Sequence, residues 1–141
     1  YIPDVDIYYR NASILCLTST FEGWPLCLTE AQANGVIPIS FNCCAGIEAI
    51  LGPNKVNGIL VPNGDINAFA KELTELINNP QLMEEIRKNV LKKVLTYSPE
   101  LVGKKWLNLF NNLLEVNSDE KNCIYRYKIR TRNQWRCRIT L

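Results

Sequence analysis

"SILCLTSTFEGWPLCLTEAQANGVIPISF" (13–41) holds two short apolar runs, with a polar loop and a helical stretch between them. The run at 13–18 suits a buried strand. The stretch 25–35 has Pro25 near its first turn and Gly35 past its last, the usual order of helix start and stop signals. The second run, 36–41, reads as another strand, with Pro38 at a position that donates no ladder bond. Neither run alternates apolar with polar residues. Such strands are typical of parallel sheets covered on both faces, and a helical crossover between them makes a right-handed βαβ unit.

Outward from this stretch the pattern continues. Residues 3–12 have apolar positions at helical spacing, with Asp4 as the expected N-cap. Residues 42–46 read as a turn and 47–51 as a short helical turn ended by Gly52-Pro53. A third strand is expected at 58–61, followed by a turn at 62–65. Amphipathic helices are expected at 66–79, 80–95 and 99–116; Asp65 caps the first, while Pro80 and Pro99 lie near the starts of the others. The order predicts an α/β domain with parallel strands flanked by helices. It amounts to half of a doubly wound domain, whose further strands are expected before Tyr1.

At 141 residues the chain is one domain or part of a larger one. Its net charge of +2 is unevenly spread. Residues 1–116 carry 9 Lys/Arg against 12 Asp/Glu, a net −3; residues 117–141 carry 7 against 2, a net +5. The acidic body is not built to grip nucleic acid. The basic tail, "NSDEKNCIYRYKIRTRNQWRCRITL" (117–141), alternates in part and reads either as an edge strand or as an unstructured or non-native end. The chain has no histidine, which removes Ser-His-Asp triads, Cys-His dyads and His metal ligands together. Its cysteines, Cys16, Cys27, Cys43, Cys44, Cys123 and Cys137, form no C-x-x-C pair, so no metal site is expected. With no signal peptide or membrane-length apolar run visible, the thiols are expected to be reduced in a cytoplasmic compartment.

Ligands of open α/β sheets bind beyond the carboxyl ends of the strands. The loop 19–24 follows such an end. The helix start after it offers unpaired N–H groups and a positive dipole end, both suited to a phosphate. Gly23 lets the backbone approach a ligand closely, and Pro25 presets the helical φ. Glu22 precedes the helix start, and Glu30 lies roughly 7–8 Å beyond it at the helical rise. Two carboxylates flanking a phosphate site match a ligand with hydroxyls at both ends, such as a nucleotide diphosphate sugar. The spacing alone is equally compatible with a solvated loop residue and a surface helix residue.

These residues resemble a known family. "TFEGWPLCLTEAQANGVIPISF" (20–41) is similar to the E-x7-E segment of the retaining GT-B glycosyltransferases of group 1 type. "DVDIYYRNASILCLTSTFEG" (4–23), "GILVPNGDINAFAKELTELINNPQLMEEIRKNV" (58–90) and "YSPELVGKKWLNLFNNLL" (97–114) resemble its neighbouring segments. The resemblance implies the C-terminal, donor-binding half of such an enzyme over residues 1–116, an incomplete Rossmann-like domain. It assigns Glu22 to hydroxyls of the transferred sugar, as the catalytic candidate. It places Gly23, Trp24, Pro25 and Leu26 at the sugar and phosphate oxygens, and Glu30 at the ribose hydroxyls. It also implies a nucleotide-sugar donor, no metal or other cofactor, transfer with retention, and a sugar or lipid-linked acceptor held by a separate N-terminal half. The family's diphosphate-neutralising Arg/Lys pair lies upstream of this sequence. "NCCAGIEAIL" (42–51) fits the family's Gly-rich loop only loosely, with Gly46 readable as a ligand contact or a turn glycine.

The other reading of the body is an α/β binding module without donor chemistry, and of the tail a patch for anionic partners. Lys88, Lys92 and Lys93 form a basic helical face that suits solvent, an acceptor or a membrane surface, so peripheral contact at the inner face of the membrane is one expectation. Trp106, Leu107, Leu109, Phe110, Leu113 and Leu114 recur at helical spacing, as core or docking surface. Trp24 is expected either to cover a ligand or to pack, and Tyr8 and Tyr9 to pack.

Overall fold

The computed structural model describes residues 4–119 and the short strands at 130–131 and 134–135. The order is α1 (Asp6–Asn11), β1 (Ile14–Leu17), α2 (Leu26–Ala33), β2 (Ile37–Asn42), α3 (Ala45–Leu51), β3 (Ile59–Pro62), α4 (Ile66–Ile77), α5 (Pro80–Val94), a 3-10 turn (Leu95–Tyr97) and α6 (Pro99–Asp119). The chain divides into two compact units, residues 1–101 and 102–141.

In the first unit β1, β2 and β3 form a parallel sheet in that order. The strands expected at 13–18, 36–41 and 58–61 are therefore present within a residue or two. β2 lies in the middle, and every side chain from Ile37 to Phe41 is buried. Ile37, Ile39 and Phe41 pack with Ile59 and Val61 of β3 against Phe69 and Leu76 of α4 and Ile86 and Val90 of α5. On the other side Leu15, Leu17 and Leu60 pack against Leu28 of α2 and Ile47, Ile50 and Leu51 of α3. Residue parity thus sorts each strand's apolar side chains between two helical layers, and the missing polar alternation is explained.

Pro38 sits in this central strand at no cost to the ladder. The N–H of Ile37 donates to the Ser13 carbonyl at 3.0 Å, on the β1 side. The next N–H in a parallel strand faces the opposite neighbour. The pairing with β3 begins only at Ile39–Ile59, so no partner is present for the donor that Pro38 lacks.

Helix ends follow local chemistry. Asp65 caps α4 by accepting from the Ala68 N–H at 2.9 Å, and Asn79 caps α5 by accepting from Leu82 at 3.0 Å, with Pro80 as the first helical residue. α2 ends on Gly35 at φ +68°, with Val36 N–H donating to Ala31 O and Gly35 N–H to Gln32 O. This pair of bonds is a Schellman closure, and it needs the left-handed residue that glycine supplies. The starts of α1 and α3 are among those that differ from expectation. The N-cap of α1 is Val5, not Asp4; the Asp4 carboxylate accepts from Asp6 N–H at 3.2 Å and so serves the first turn from one residue further out. α3 begins at Ala45, because the N–H groups of Ile47 and Glu48 both find the Cys44 carbonyl.

Two polar features tie the layers together. Gln32, fully buried on α2, donates through Nε2 to Asn57 O at 2.9 Å and Ile50 O at 3.3 Å. Lys55 Nζ lies 3.0 Å from both Glu72 and Glu75 and straps the loop before β3 to α4.

In the second unit the Trp106 and Phe110 rings of α6 stack at 5.6 Å. The tail contributes an antiparallel pair, β4 (Arg130–Thr131) with β5 (Gln134–Trp135). The rest of the alternating segment lies outside the described residues.

Ile39 is fully buried between the sheet and the α4/α5 layer, whereas Ile66 is 74% exposed. Ile39→Ala is expected to cost about 2–5 kcal/mol of unfolding free energy, and Ile66→Ala to stay within about 0.5 kcal/mol. Urea denaturation followed by circular dichroism checks the contrast.

Candidate functional site

The parallel sheet sends the chain out of its carboxyl end twice on the α2/α3 side. After Leu17 it runs through 18–25 into α2, and after Asn42 it turns at Cys43–Cys44 into α3. The two exits meet. The Cys44 thiol donates to the Gly23 carbonyl at 3.4 Å. A Cβ on Gly46 would collide with that same carbonyl. Gly46 is therefore a glycine because the other loop's backbone occupies its side-chain space. At Gly23 itself a Cβ would meet nothing within 4 Å, so that side of the loop is open.

α2 begins at Leu26, one residue later than expected, with Pro25 as its N-cap. No side chain caps this end. α4 and α5, by contrast, are capped by their own Asp65 and Asn79. The N-terminal end of α2 thus keeps the positive dipole end of a helix available to an anion.

Glu22 is half-buried in the loop before α2, and Glu30 is exposed on the helix's fifth residue. Cys27 lies between them in sequence and feels both. Burial pushes its thiol up first, and the charges of Glu22 and Glu30 push it further in the same direction. Burial also raises the thiols of Cys16 and Cys43. These thiols are neutral at ordinary pH, and Cys27 and Cys43 pack against the α2/α3 core cluster.

Trp24 is 46% exposed and meets Tyr97 edge to face at 5.6 Å. The Tyr97 hydroxyl donates to the Ala49 carbonyl of α3 at 3.1 Å, and Lys93 Nζ lies 5.6 Å over the Tyr97 ring. Tyr97 thereby ties the loop at Trp24 to α3. No pattern in the sequence announced Tyr97, because the partners that make it a tie, Ala49 and Trp24, lie 48 and more residues upstream. On the basic face of α5, Lys88 lies 3.6 Å from Glu84, a solvated pair one turn apart.

Glu30 has a partner that spacing did not identify. Tyr9 is the buried residue of α1, and its hydroxyl donates to Glu30 Oε2 at 3.0 Å, with the Cys27 carbonyl at 3.4 Å. Helical periodicity marked Tyr9 for packing, and its ring does pack with Ala31 and Val36. Its polar tip was invisible without the partner helix.

A separate open cavity of about 430 Å³, lined by Arg10, Ser13, Asn34 and Arg87 among others, lies at the amino ends of β1 and β2. It is at the wrong end of the sheet to belong to this site. Among the described residues no group of three His, Cys, Asp or Glu side chains is arranged to hold a metal, and no helix is long and apolar enough to cross a membrane.

The Tyr9 phenol is pushed up to about 12, first by burial and then by its bond to Glu30 and that residue's charge. The folded chain holds the proton more tightly than the unfolded one. The stability this contributes is full below about pH 10, the ordinary tyrosine value, and is lost as the pH rises from there towards 12. The phenolate absorbance of the wild type minus that of Tyr9→Phe is expected to contain a component titrating near 12. In Glu30→Gln that component is expected lower. An ordinary tyrosine midpoint in the wild type would contradict the bond.

The family model described as "Glycosyl transferases group 1" matches residues 1–93. An uncharacterized glycosyltransferase of Haemophilus influenzae is 36% identical over 109 residues, which cover 75% of this chain and 31% of the relative. The crystal structure of a variant of Staphylococcus aureus TarM, in complex with fondaparinux, alpha-GlcNAc-glycerol and UDP, superposes with a TM-score of 0.70 at 30% identity, covering 79% of this chain and 22% of that one. The C-terminal domain of LpcC, a glycosyl transferase group 1 family protein from Francisella tularensis, superposes with a TM-score of 0.60 at 29% identity, over 68% of this chain and 50% of that one. The chain spans between 21% and 31% of the length of the first three curated relatives it matches.

Proposed function

This chain belongs to the glycosyl transferases group 1 family, and from that premise we propose that residues 1–116 are the donor-binding part of a retaining GT-B glycosyltransferase. The observation that carries the reading is the start of α2. It is an uncapped helix end at the carboxyl side of a parallel sheet, with a carboxylate on the loop before it and another one turn into it. The diphosphate of a nucleotide sugar takes the helix end. Glu22 accepts from hydroxyls of the sugar, and Glu30 accepts from the ribose hydroxyls. The backbone at Gly23, Trp24 and Leu26 meets sugar and phosphate oxygens, with Pro25 fixing the chain's entry into the helix. The open side of Gly23 leaves room for that approach. UDP in the TarM complex supports a nucleotide-linked donor for this chain too.

In this reading the reaction replaces the bond between the anomeric carbon and the diphosphate by a bond to an acceptor hydroxyl, on the same face of the sugar. The leaving diphosphate takes the acceptor's proton, which suits a chain without histidine. No cofactor or metal is required. The acceptor is a sugar or a lipid-linked sugar held by a separate N-terminal half, and the work is done on the cytoplasmic side, at the inner face of the membrane where the acceptor is lipid-linked. The LpcC domain, a C-terminal domain of the same family, supports the placing of this chain in the whole protein.

Saturation-transfer NMR with UDP, GDP and ADP sugars tests the site. One of them is expected to bind. Glu30→Ala is expected to weaken it about 10–100-fold, the size of losing hydrogen bonds to a charged group. No binding by any of the three would overturn the reading.

Without an acceptor half, residues 1–141 are expected to transfer no sugar in a coupled assay that detects nucleotide release to an added acceptor. Turnover by this chain alone would show that the acceptor site lies within it.

A further inference from the structure

We propose that Tyr9 is a positioning residue of the donor site, whose hydroxyl holds one Glu30 oxygen so that the rest of the carboxylate is presented to the cis-diol of the nucleotide ribose. The inference rests on the donor-site reading above and adds to it a residue from outside the segment that the two glutamates define.

The geometry begins with α1. Its residues from Asp6 to Asn11 are exposed, with one exception, Tyr9, which is 7% exposed. The ring is lodged against Ala31 and Val36, beside the Schellman closure of α2. Packing therefore fixes where the phenol oxygen lies. That oxygen reaches α2 at two points one turn apart, Glu30 Oε2 at 3.0 Å and the Cys27 carbonyl at 3.4 Å. A phenol has one proton to donate, and the carboxylate, nearer and charged, is the stronger acceptor.

Glu30 needs such a partner. It stands on the exposed side of α2, where a glutamate side chain ordinarily samples several rotamers. Freezing them at the moment of ligand binding would reduce affinity; a carboxylate already held by a fixed phenol has largely lost them beforehand. The phenol is a well-matched holder because it donates one bond and brings no charge. An Arg or Lys in its place would satisfy the carboxylate more fully and compete with the ligand. An ionised carboxylate offers about four acceptor positions on its two oxygens. Tyr9 takes one on Oε2, which leaves Oε1 and the remaining position of Oε2 for two adjacent hydroxyls. A cis-diol supplies both donors; a 2′-deoxyribose supplies one. Tyr9 thus bears on the choice of ribose over deoxyribose, through the orientation of Glu30. The raised pKa keeps the phenol a donor throughout the physiological range.

The test compares paired nucleotides on the full chain. UDP, ADP and GDP are each titrated beside their 2′-deoxy counterparts by ligand-observed NMR, against the wild type, Tyr9→Phe and Glu30→Gln. The wild type is expected to favour the ribonucleotide about 10-fold, the scale of one charge-assisted hydrogen bond. Tyr9→Phe keeps the buried ring and is expected to reduce that preference to about 3-fold or less, with little change for the 2′-deoxy ligand. Glu30→Gln is expected to reduce it at least as far. A role in packing alone would weaken both ligands equally, so an unchanged preference in Tyr9→Phe overturns this inference and leaves the donor site standing. Absence of binding of any nucleotide to the wild type overturns the donor-site reading and this inference with it. Should Tyr9→Phe fail to fold, the ring resonances of Tyr9 in the wild type decide. They are expected to shift with the ribonucleotide and not with its 2′-deoxy partner, and equal shifts overturn the proposal.

Discussion

A central strand buried on both faces constrains everything else in the first unit. From Ile37 to Phe41 no side chain of β2 reaches solvent, so helices must cover it above and below. Burial of these residues, at about 1.5–3 kcal/mol for each large apolar side chain, is the largest favourable contribution that the sequence supplies in one place. Both neighbours of β2 run parallel to it. A parallel neighbour requires a crossover connection, and the crossovers supply the covering helices. The covering helices and the side of the sheet on which the loops emerge thus follow from burial and parallel order together.

The candidate site is a by-product of that arrangement turned to use. Parallel strands end together, so the exits after β1 and β2 emerge side by side and bring Gly23 against Gly46. The crossover after β1 must begin a helix just there, so a helix dipole points back at the sheet's edge. The longer helices α4 and α5 are capped at their starts by the side chains of Asp65 and Asn79. α2 is not. The absence matters because an Asp or Ser at the cap position would fill the place where an anion is proposed to lie.

Much of this was legible in the sequence, for identifiable reasons. The unalternating apolar runs marked buried parallel strands, and Gly35 marked the end of α2. Asp65 and Pro80 marked helix starts within a residue. These signals act over a few residues, so one chain segment carries them whole. What escaped was set by contacts between segments. Tyr9 was legible as a buried ring, but not as the donor to Glu30, 21 residues away. Gly46 looked like a possible ligand contact, and its neighbour proved to be a backbone carbonyl. Tyr97 gave no signal, since its distant partners, Trp24 and Ala49, meet it only in the folded chain. Pro38 was legible as a position that donates no ladder bond, and the register of β3 shows why the strand accommodates it.

The fit of Gly46 against the Gly23 carbonyl also bears on how such a sequence can vary. The Gly23 carbonyl fills the space that a side chain at position 46 would need, so that residue cannot enlarge unless the backbone after β1 shifts. The two positions are sterically coupled, although 22 residues separate them in the chain. A change in the shape of the loop that follows β1 must be answered at the start of α3 by a change in backbone path or residue size. A larger residue at position 46 is thus most accessible when paired with a change in the loop after β1, while the strands that carry both stay fixed.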